Sequence, residues 1–288
     1  MANTFASNLV VDSLRDAAIT TLSSRLAPLN AFSRDFSADQ LRPRSTVQVP
    51  IASAGATVQT NASNFESGDS TLTNAAVSVS QYTASFALSN TEINQGFRIE
   101  QLAAKNLRQL ANKIIDVALT PVTTANFGSA VVDVDASTDV TATSLKTLWG
   151  ALKDGSERNL VVDGSIYAQF LPSNLDGFSL AGNGRNAGIY GFDGFYFNNR
   201  WDGAGATIKG FAASPEAIAL ASGVPVSSPV SDDLIAQENI LIEDLGLTVQ
   251  MSMWSSRATR SLWASYDVMF GAAKGDGSAL KLLVLTPA

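Results

Sequence analysis

The sequence predicts an α+β fold in which a helix, a long two-stranded extension and a second, longer helix precede a domain built on mixed β-sheet. Apolar residues recur at every third or fourth position in 6–26 and in 92–119, as they do along one face of a helix. Apolar and polar residues alternate at both ends of 45–90, which is typical of strands. After Pro121, short helical and strand patterns follow one another, and this succession indicates a mixed sheet.

The first helix is predicted over 6–26. Its apolar stripe consists of five residues at spacings of three and four: Val11, Leu14, Ala18, Leu22 and Leu26. Pro28 cannot continue a helix and therefore ends it. Because the helix stands apart from the segment that follows, we expect it to be a detached arm.

The segment 45–90 is predicted to form two strands, TVQVPI and VSVSQYTASFAL, around a long tip. It contains no lysine or arginine, and it has too few large apolar side chains to form a core of its own. One compact subunit offers no cover for the apolar faces of this segment and of the first helix. We therefore expect neighbouring copies of the chain to cover both.

The second helix is predicted over 92–119, with Ser89 and Glu92 at the spacing of a capping box and Pro121 beyond the end. One stripe is apolar: Ile93, Phe97, Ala104, Leu107, Ala111, Ile114 and Ala118. An adjacent basic stripe is formed by Arg98, Lys105 and Arg108, interleaved with Gln101 and Asn112. Such a stripe is either a solvated helix face or a surface for a polyanion or a neighbouring subunit.

The elements after Pro121 are predicted to be shorter. A helix is expected over 144–153, a strand over 160–163, and then a short helix that ends at QFLP. The strands GFYFNNRW and ATIKGFAAS are expected to pair as a hairpin, and Ser214 with Pro215 is expected to begin a helix through Ala221. Three strands close the chain: LGLTVQMSMW, RSLWASYDVMFG and ALKLLVLT.

Composition argues against catalysis. The 288 residues include no cysteine and no histidine, so thiolate chemistry, disulfides and the commonest general base and metal ligand are missing. We therefore expect no enzyme, no cofactor and no metal. Asp133, Asp135 and Asp139 alternate like the start of a calcium loop, but the glycine of the sharp turn is absent. A polar connection explains these acids as well as a cation site does.

Charge is distributed unevenly along the chain. The first 120 residues hold nine basic and nine acidic side chains, so the whole net charge of −7 lies after them. One surface is therefore expected to be neutral and another acidic, although ordinary scatter of surface charge gives the same totals. No run of eighteen apolar residues and no signal peptide is found, and a soluble product without a membrane partner is expected.

Three local sequence segments occur in a characteristic order: IYGFDGFYFNNRW, then GFAASPEAIALASG, then GLTVQMSMW followed by SYDVMFGAAKGDG. With the arm, the two-stranded extension and the long helix before them, they resemble the major capsid proteins of tailed double-stranded DNA bacteriophages. Those proteins share the Hong Kong 97-type fold. The resemblance covers nearly the whole chain, and its specificity lies in the order of the pieces.

The resemblance implies a division of the chain into five parts. They are an N-terminal arm at 1–44, an extended loop at 45–90, a spine helix with peripheral domain at 91–155, an axial domain at 156–256, and closing strands at 257–288 that return to the peripheral domain. The extended loop of such proteins lies across a neighbouring subunit. Some relatives cross-link the subunits of their shells covalently through a lysine in this loop. Because the loop of this chain contains no lysine, noncovalent contacts are expected instead.

The resemblance also implies a function. It predicts a structural protein that assembles in the host bacterial cytoplasm, as pentamers and hexamers, into an icosahedral shell around double-stranded DNA. A separate scaffolding protein, a portal and decoration proteins are the partners it implies. Arg98, Lys105 and Arg108 then face the packaged DNA or a neighbouring subunit.

Three other classes of function remain as alternatives. A cellular nanocompartment shell of similar fold would enclose a protein instead of a genome. A β-rich surface or adhesin protein would account for the many serine, threonine, alanine and asparagine residues. An enzyme would have to work with carboxylates and hydroxyls alone.

Overall fold

The computed structural model describes residues 7–35, 46–54, 60, 71–88, 97–135, 139–152, 157–170, 191–198, 200, 207–225, 234–256 and 261–286. The described residues form five α-helices: α1 Ser7–Leu26, α2 Phe97–Leu119, α3 Thr124–Phe127, α4 Ala142–Ala151 and α5 Gly164–Gln169. They also form thirteen strands: β1 Ser33–Asp35, β2 Thr46–Ala54, β3 Thr71–Ser78, β4 Ser80–Leu88, β5 Val132–Asp135, β6 Asn159–Val162, β7 Gly194–Phe197, β8 Ile208–Ala213, β9 Ile218–Gly223, β10 Leu234–Ile242, β11 Leu247–Ser256, β12 Ser261–Lys274 and β13 Leu280–Thr286.

The first sheet is built around β12, the longest strand. Its order is β1-β9-β12-β11-β10, and β4 pairs with β12 outside this order. On one side of β12, β11 pairs with the first half of the strand and β9 with the second half. On the other side β4 pairs from Leu262 to Phe270. The three closing strands predicted from sequence are confirmed, but β13 belongs to a different sheet from β11 and β12.

Helices α1 and α2 pack together on one face of this first sheet. The stripe predicted for α1 is buried here: Leu14, Ala18, Leu22 and Leu26 are fully buried, and they share one core with α2 and β12. The helix prediction for 6–26 is confirmed, but the expectation that neighbouring copies cover its stripe is wrong. The chain's own α2 and first sheet cover it, so α1 is part of the subunit's core.

Tyr266 of β12 fixes α1 to the sheet. Its hydroxyl donates a hydrogen bond of 3.0 Å to the carbonyl oxygen of Leu14. The side chain is fully buried, and burial raises the pKa of Tyr266 well above its ordinary value. The phenol is therefore held neutral inside the fold.

Tyr266 should make the stability of the subunit sensitive to alkaline pH. Above the ordinary pKa of 10.0, the unfolded chain releases the phenolic proton while the folded chain keeps it, so stability is complete below this pH and falls above it. Tyr266→Phe should lower the free energy of unfolding at neutral pH by about 1 kcal/mol through the lost hydrogen bond. It should also remove a slope of up to about 1.4 kcal/mol per pH unit on the alkaline side. Urea unfolding over a pH series measures both, with Tyr82→Phe as control, and equal slopes for Tyr266→Phe and the parent would contradict this assignment.

The second sheet has the order β5-β13-β8-β6-β7 and is covered by α4. Leu145 and Leu148 of α4 are fully buried in a core with Phe192 and Phe195. Thr141 caps α4, since its hydroxyl accepts a hydrogen bond from the amide of Ser144. The helix near 144–153, the strand near 160–163 and the short helix after it are all confirmed, within a few residues.

Buried and charged contacts join the two sheets. The rings of Phe32 and Phe211 meet edge to face at 5.2 Å, and both side chains are fully buried. Asn159 Nδ2 donates a hydrogen bond of 3.1 Å to the carbonyl oxygen of Ala31. Near the end of α2, Arg200 binds both carboxylate oxygens of Asp116, at 3.1 and 2.6 Å. These contacts hold the second sheet against the helical layer.

The predicted hairpin of GFYFNNRW and ATIKGFAAS is wrong. Both segments are strands, β7 and β8, but β6 lies between them, parallel to β7 and antiparallel to β8. Parallel neighbours such as β6 and β7 need a crossover, which here includes α5. Their pairing therefore does not follow from their proximity in sequence.

The predicted helix from Ser214 through Ala221 is also wrong. After a short turn, 218–223 forms β9, which pairs with β12 on one side and with β1 on the other. All six residues of β9 are buried. Because the strand is covered on both faces, its sequence is a continuous apolar run. The spacing of its alanines is also compatible with a helix.

The segment 45–90 departs from its prediction in two respects. β3 begins at Thr71, within the predicted tip, and the predicted strand over 77–88 is divided at Val79 between the end of β3 and β4. β3 pairs with β2 and β4 pairs with β12, so the chain changes sheets at this point. Strands β1, β5 and β10 were not predicted from the sequence.

The sheets do not follow the sequence ranges expected as domains. β5 and α4 precede residue 156 yet belong with β6 to β8, and β9 to β11 lie within 156–256 yet join β12. The five domain ranges remain a prediction.

Helix α2 spans 23 residues, and the cap predicted at Ser89 and Glu92 lies outside the described residues.

Candidate assembly surfaces

The hairpin of β2 and β3 extends from the first sheet. Its strands pair antiparallel from Thr46 with Ser78 to Ala54 with Thr71. One face turns toward the subunit, with Val49 and Val77 fully buried. The opposite face is exposed and polar or small: Thr46, Gln48, Pro50, Asn74, Ala76 and Ser78. The chain's own first sheet covers the apolar face of the hairpin, so the expectation that a neighbouring copy covers this face is wrong for the described part of 45–90. The other face is open to solvent.

The outward face of α2 carries the basic stripe. Lys105 and Arg108 are exposed, on the side of the helix opposite the buried Ala103, Leu107 and Leu110. Neither cation takes part in an ion pair among the residues that the structure describes. Arg98 lies in the first turn of α2, and its side chain is outside the described part.

Two other charged side chains of α2 interact with residues of the same chain. Asp116 is held by Arg200. Lys113 lies over the ring of Tyr82, with 5.7 Å from Nζ to the ring centroid. Lys105 and Arg108 are therefore the positions of the basic stripe whose charge is seen to face solvent.

Trp149 and Arg158 anchor the chain at Gly191, the residue that follows 171–190. The indole Nε1 of Trp149 donates a hydrogen bond of 2.9 Å to the carbonyl oxygen of Gly191. The guanidinium of Arg158 stacks on the same indole at 4.1 Å. Gly191 has φ +89, and a Cβ there would lie 3.1 Å from Trp149 Nε1, so both conformation and space favour glycine. The segment 171–190 itself lies outside the described residues.

Exposed apolar side chains lie on outer strands of both sheets. In the first sheet they are Leu234, Ile235 and Leu241 of β10, and Leu241 is 53% exposed. In the second sheet Phe197 of β7 is 51% exposed, with its ring against Tyr167 at 5.1 Å. Outer strands also present unpaired backbone groups, and apolar residues on them are typical of surfaces that meet another chain.

Among the described residues, no three His, Cys, Asp or Glu side chains come together as a metal site. Asp133 accepts a hydrogen bond of 2.6 Å from Thr286, and Asp139 is exposed, while 136–138 lie outside the description. A cavity of about 20 Å³ beside Leu29 and Phe270 has room for one water molecule. The described helices also include none with the length and hydropathy needed to cross a membrane.

An anchored hairpin, a basic helix face and apolar outer strands are features of a protein that meets other macromolecules over its surface. No protein-family model matches the sequence, and no curated protein matches it. Solved structures, in contrast, match over nearly the whole chain. The capsid of Ralstonia phage GP4 is 9% identical with a TM-score of 0.58, over 90% of this chain and 90% of that one.

Two further solved structures give similar values. A virus-like particle from Pyrococcus furiosus is 13% identical with a TM-score of 0.56, over 94% of this chain and 98% of that one. The capsid of a native GTA particle is 12% identical with a TM-score of 0.55, over 92% and 90%. The chain therefore has the Hong Kong 97-type fold, as the sequence predicts. The similarity extends over nearly the whole chain and concerns the fold.

Proposed function

We propose that this protein is the major capsid protein of a tailed bacteriophage. Its copies assemble as hexamers and pentamers into an icosahedral shell around double-stranded DNA. The observation that carries the proposal is the fold shared with capsid subunits, on which the hairpin of β2 and β3 keeps one face open. The inner face of the hairpin packs on the first sheet of the same chain. The outer face is exposed, and in this proposal a second copy covers it.

The proposal assigns roles to the parts of the chain. The segment 45–90 is the extended loop, α2 is the spine, the first sheet is the peripheral layer, and the second sheet forms the axial domain with its loops toward the capsomer axis. The apolar outer strands β7 and β10 meet neighbouring copies. Many modest contacts of this kind make a closed shell durable even where each one is weak. A separate scaffolding protein, a portal and decoration proteins complete the proposed set of partners.

Electron microscopy of the purified chain tests the proposal. The chain is expressed alone and together with the products of neighbouring genes, and is then fractionated by size-exclusion chromatography. Closed particles in the excluded volume are expected. A 30.2 kDa monomer under every condition would contradict the proposal.

The basic stripe of α2 gives the shell an inner surface in this proposal. Lys105 and Arg108 face solvent on the helix side of the first sheet, whereas the base of the hairpin packs on the opposite face of that sheet. Arg98 belongs to the same stripe by its spacing. Cations on one face bind a polyanion without reading its sequence, as packaging of a genome requires. The neutral N-terminal part of the chain then faces DNA, and the acidic remainder lies outward or near the capsomer axis.

Charge reversal in the basic stripe should impair genome filling more than shell formation. In Arg98→Glu with Arg108→Glu, the DNA content per particle is expected to fall while empty shells form at parental yield. Lys146→Glu, a charge reversal at an exposed position of α4 outside the stripe, is the control. For DNA binding by unassembled subunits, the salt slope should fall by about one for each phosphate contact removed. Failure of assembly, with normal filling of the shells that remain, would instead assign these residues to subunit contacts.

A nanocompartment shell is the second candidate, because the Pyrococcus furiosus match covers as much of the chain as the phage matches do. This function differs from the first only in what is enclosed. Nuclease-protected DNA in purified shells supports the capsid, whereas an enclosed protein without DNA supports the nanocompartment.

A further inference from the structure

The chain passes from the hairpin to the first sheet within a single residue. β3 ends at Ser78, the fully buried Val79 follows, and β4 begins at Ser80. Ser80 pairs with Phe270 of β12, so Ser78 lies just beyond the point where β4 leaves the edge of that strand. The direction of the hairpin is therefore decided at this crossing.

The base of the hairpin rests on the face of the first sheet that is turned away from α1 and α2. Val49, Val77 and Val79 form a separate buried cluster with three residues of the sheet: Ala219, Ala221 and Met269. Two of these sheet residues are alanines, and Gly271 is the next residue on β12 with the same orientation as Met269. Small side chains in this place let the backbone of β3 come close to β12.

Gly271 makes the closest approach. A Cβ on Gly271 would lie 2.9 Å from the carbonyl carbon of Ser78 and 3.1 Å from Cγ1 of Val77, and closer still to the carbonyl oxygen of Ser78. The backbone of Gly271 is outside the left-handed region, so any residue could adopt its conformation. Glycine is required here for space alone, and the space belongs to the strand that carries the hairpin.

We propose that Gly271 is a positioning residue that sets the angle of the hairpin against the subunit. By doing so it decides whether the hairpin reaches the surface of the next copy; this second step rests on the proposed shell function. Any side chain at position 271 pushes on the backbone of Ser78. A backbone cannot relieve such a contact by changing rotamer, as a side chain can. The crossing at Val79 then tilts, and a small shift at the base becomes a large one along the hairpin.

The absence of cysteine makes the angle measurable in the full-length chain. Spin labels on Gln48→Cys, at the exposed face of β2, and on Gln109→Cys, at the exposed face of α2, report one distance by double electron–electron resonance. Gly271→Ala should shift the mean distance by several ångströms, and Gly271→Val should shift it further. Gly150→Ala is the matched control, since a Cβ on Gly150 meets nothing within 4 Å.

Helix content by circular dichroism shows whether each variant is folded. An unchanged distance in folded Gly271→Ala and Gly271→Val would overturn the inference. If both variants fail to fold, Val79→Ala decides: loss of its packing should broaden the distribution of distances, and an unchanged width overturns the inference. The distance is measured on unassembled subunits, so it remains decisive even if the parent forms no shells. Where the parent does form shells, Gly271→Ala should yield fewer of them than Gly150→Ala.

Discussion

Leu22→Ala should destabilise the isolated subunit by about 2–5 kcal/mol, the usual cost of emptying a fully buried leucine site. Leu22 lies in α1. From the sequence alone, we expect neighbouring copies to cover the apolar stripe of this helix. In the structure the stripe is covered by α2 and the first sheet of the same chain. The substitution therefore measures whether α1 belongs to the core of the subunit. Chemical denaturation of unassembled subunits, followed by tryptophan fluorescence, gives the free energy of unfolding.

Ile19→Ala is the matched control for this experiment. Ile19 lies on the same helix but is 40% exposed, so its truncation should cost far less than that of Leu22. If α1 were a detached arm, both variants would leave the isolated subunit at parental stability. A Leu22→Ala change within about 0.5 kcal/mol of the parent, the range of ordinary surface substitutions, would contradict the structure.

Replacement of residues 55–70 by Asn-Gly should abolish shell assembly while the subunit stays folded. Ala54 pairs with Thr71, so a two-residue turn can join β2 and β3 in their existing register. The cores around α1, α2 and α4 include none of the residues removed. A loss of only about 1.4 kcal/mol in each contact between copies lowers each association constant tenfold. Because a shell multiplies such contacts, the loss of assembly should be nearly complete.

Two measurements read this result together. The denaturation midpoint of the unassembled variant should match that of the parent, and particle counts by electron microscopy should fall to background. A control chain keeps 55–70 and carries Gly150→Ala in α4, where a Cβ meets nothing within 4 Å. Shells formed at parental yield by the shortened chain would show that the tip of the extended loop plays no part in assembly.

Much of the helical structure could be predicted because its signals are local. The stripe of Leu14, Leu22 and Leu26 repeats at helical spacing, and Pro28 ends it, so α1 follows from its own residues. The same holds for α2 and for the long closing strands. What covers α1 could not be predicted, since Tyr266 and Leu14 are 252 residues apart in the chain.

The errors in the sheets arise from contacts between segments that are distant in the sequence. GFYF and IKGFAA are close in sequence and both are strands, but β6 separates them, and nothing within either segment announces a third strand. The alanines of β9 fit helical spacing and predict a helix, whereas pairing with β1 and β12 makes the segment a strand. In these places tertiary contacts override local propensity.

The features of the candidate surfaces also differ in whether local sequence predicts them. The basic stripe follows from periodicity, and Lys105 and Arg108 are exposed as a stripe requires. The salt bridge of Arg200 with Asp116 and the close approach at Gly271 depend on residues far apart in the sequence. No signal in a single sequence distinguishes Gly271 from the chain's other glycines, because its requirement is spatial and not conformational.

Hydrogen exchange of unassembled subunits and of assembled shells measures whether the hairpin of β2 and β3 completes its contacts only with another copy of the chain. Backbone amides of the hairpin should exchange faster than those of α1 and β12 in the unassembled subunit and become more protected in the shell, while amides of α1 and β12 should be equally protected in both. Equal protection of the hairpin and β12 in the unassembled subunit, with no change on assembly, would contradict the account.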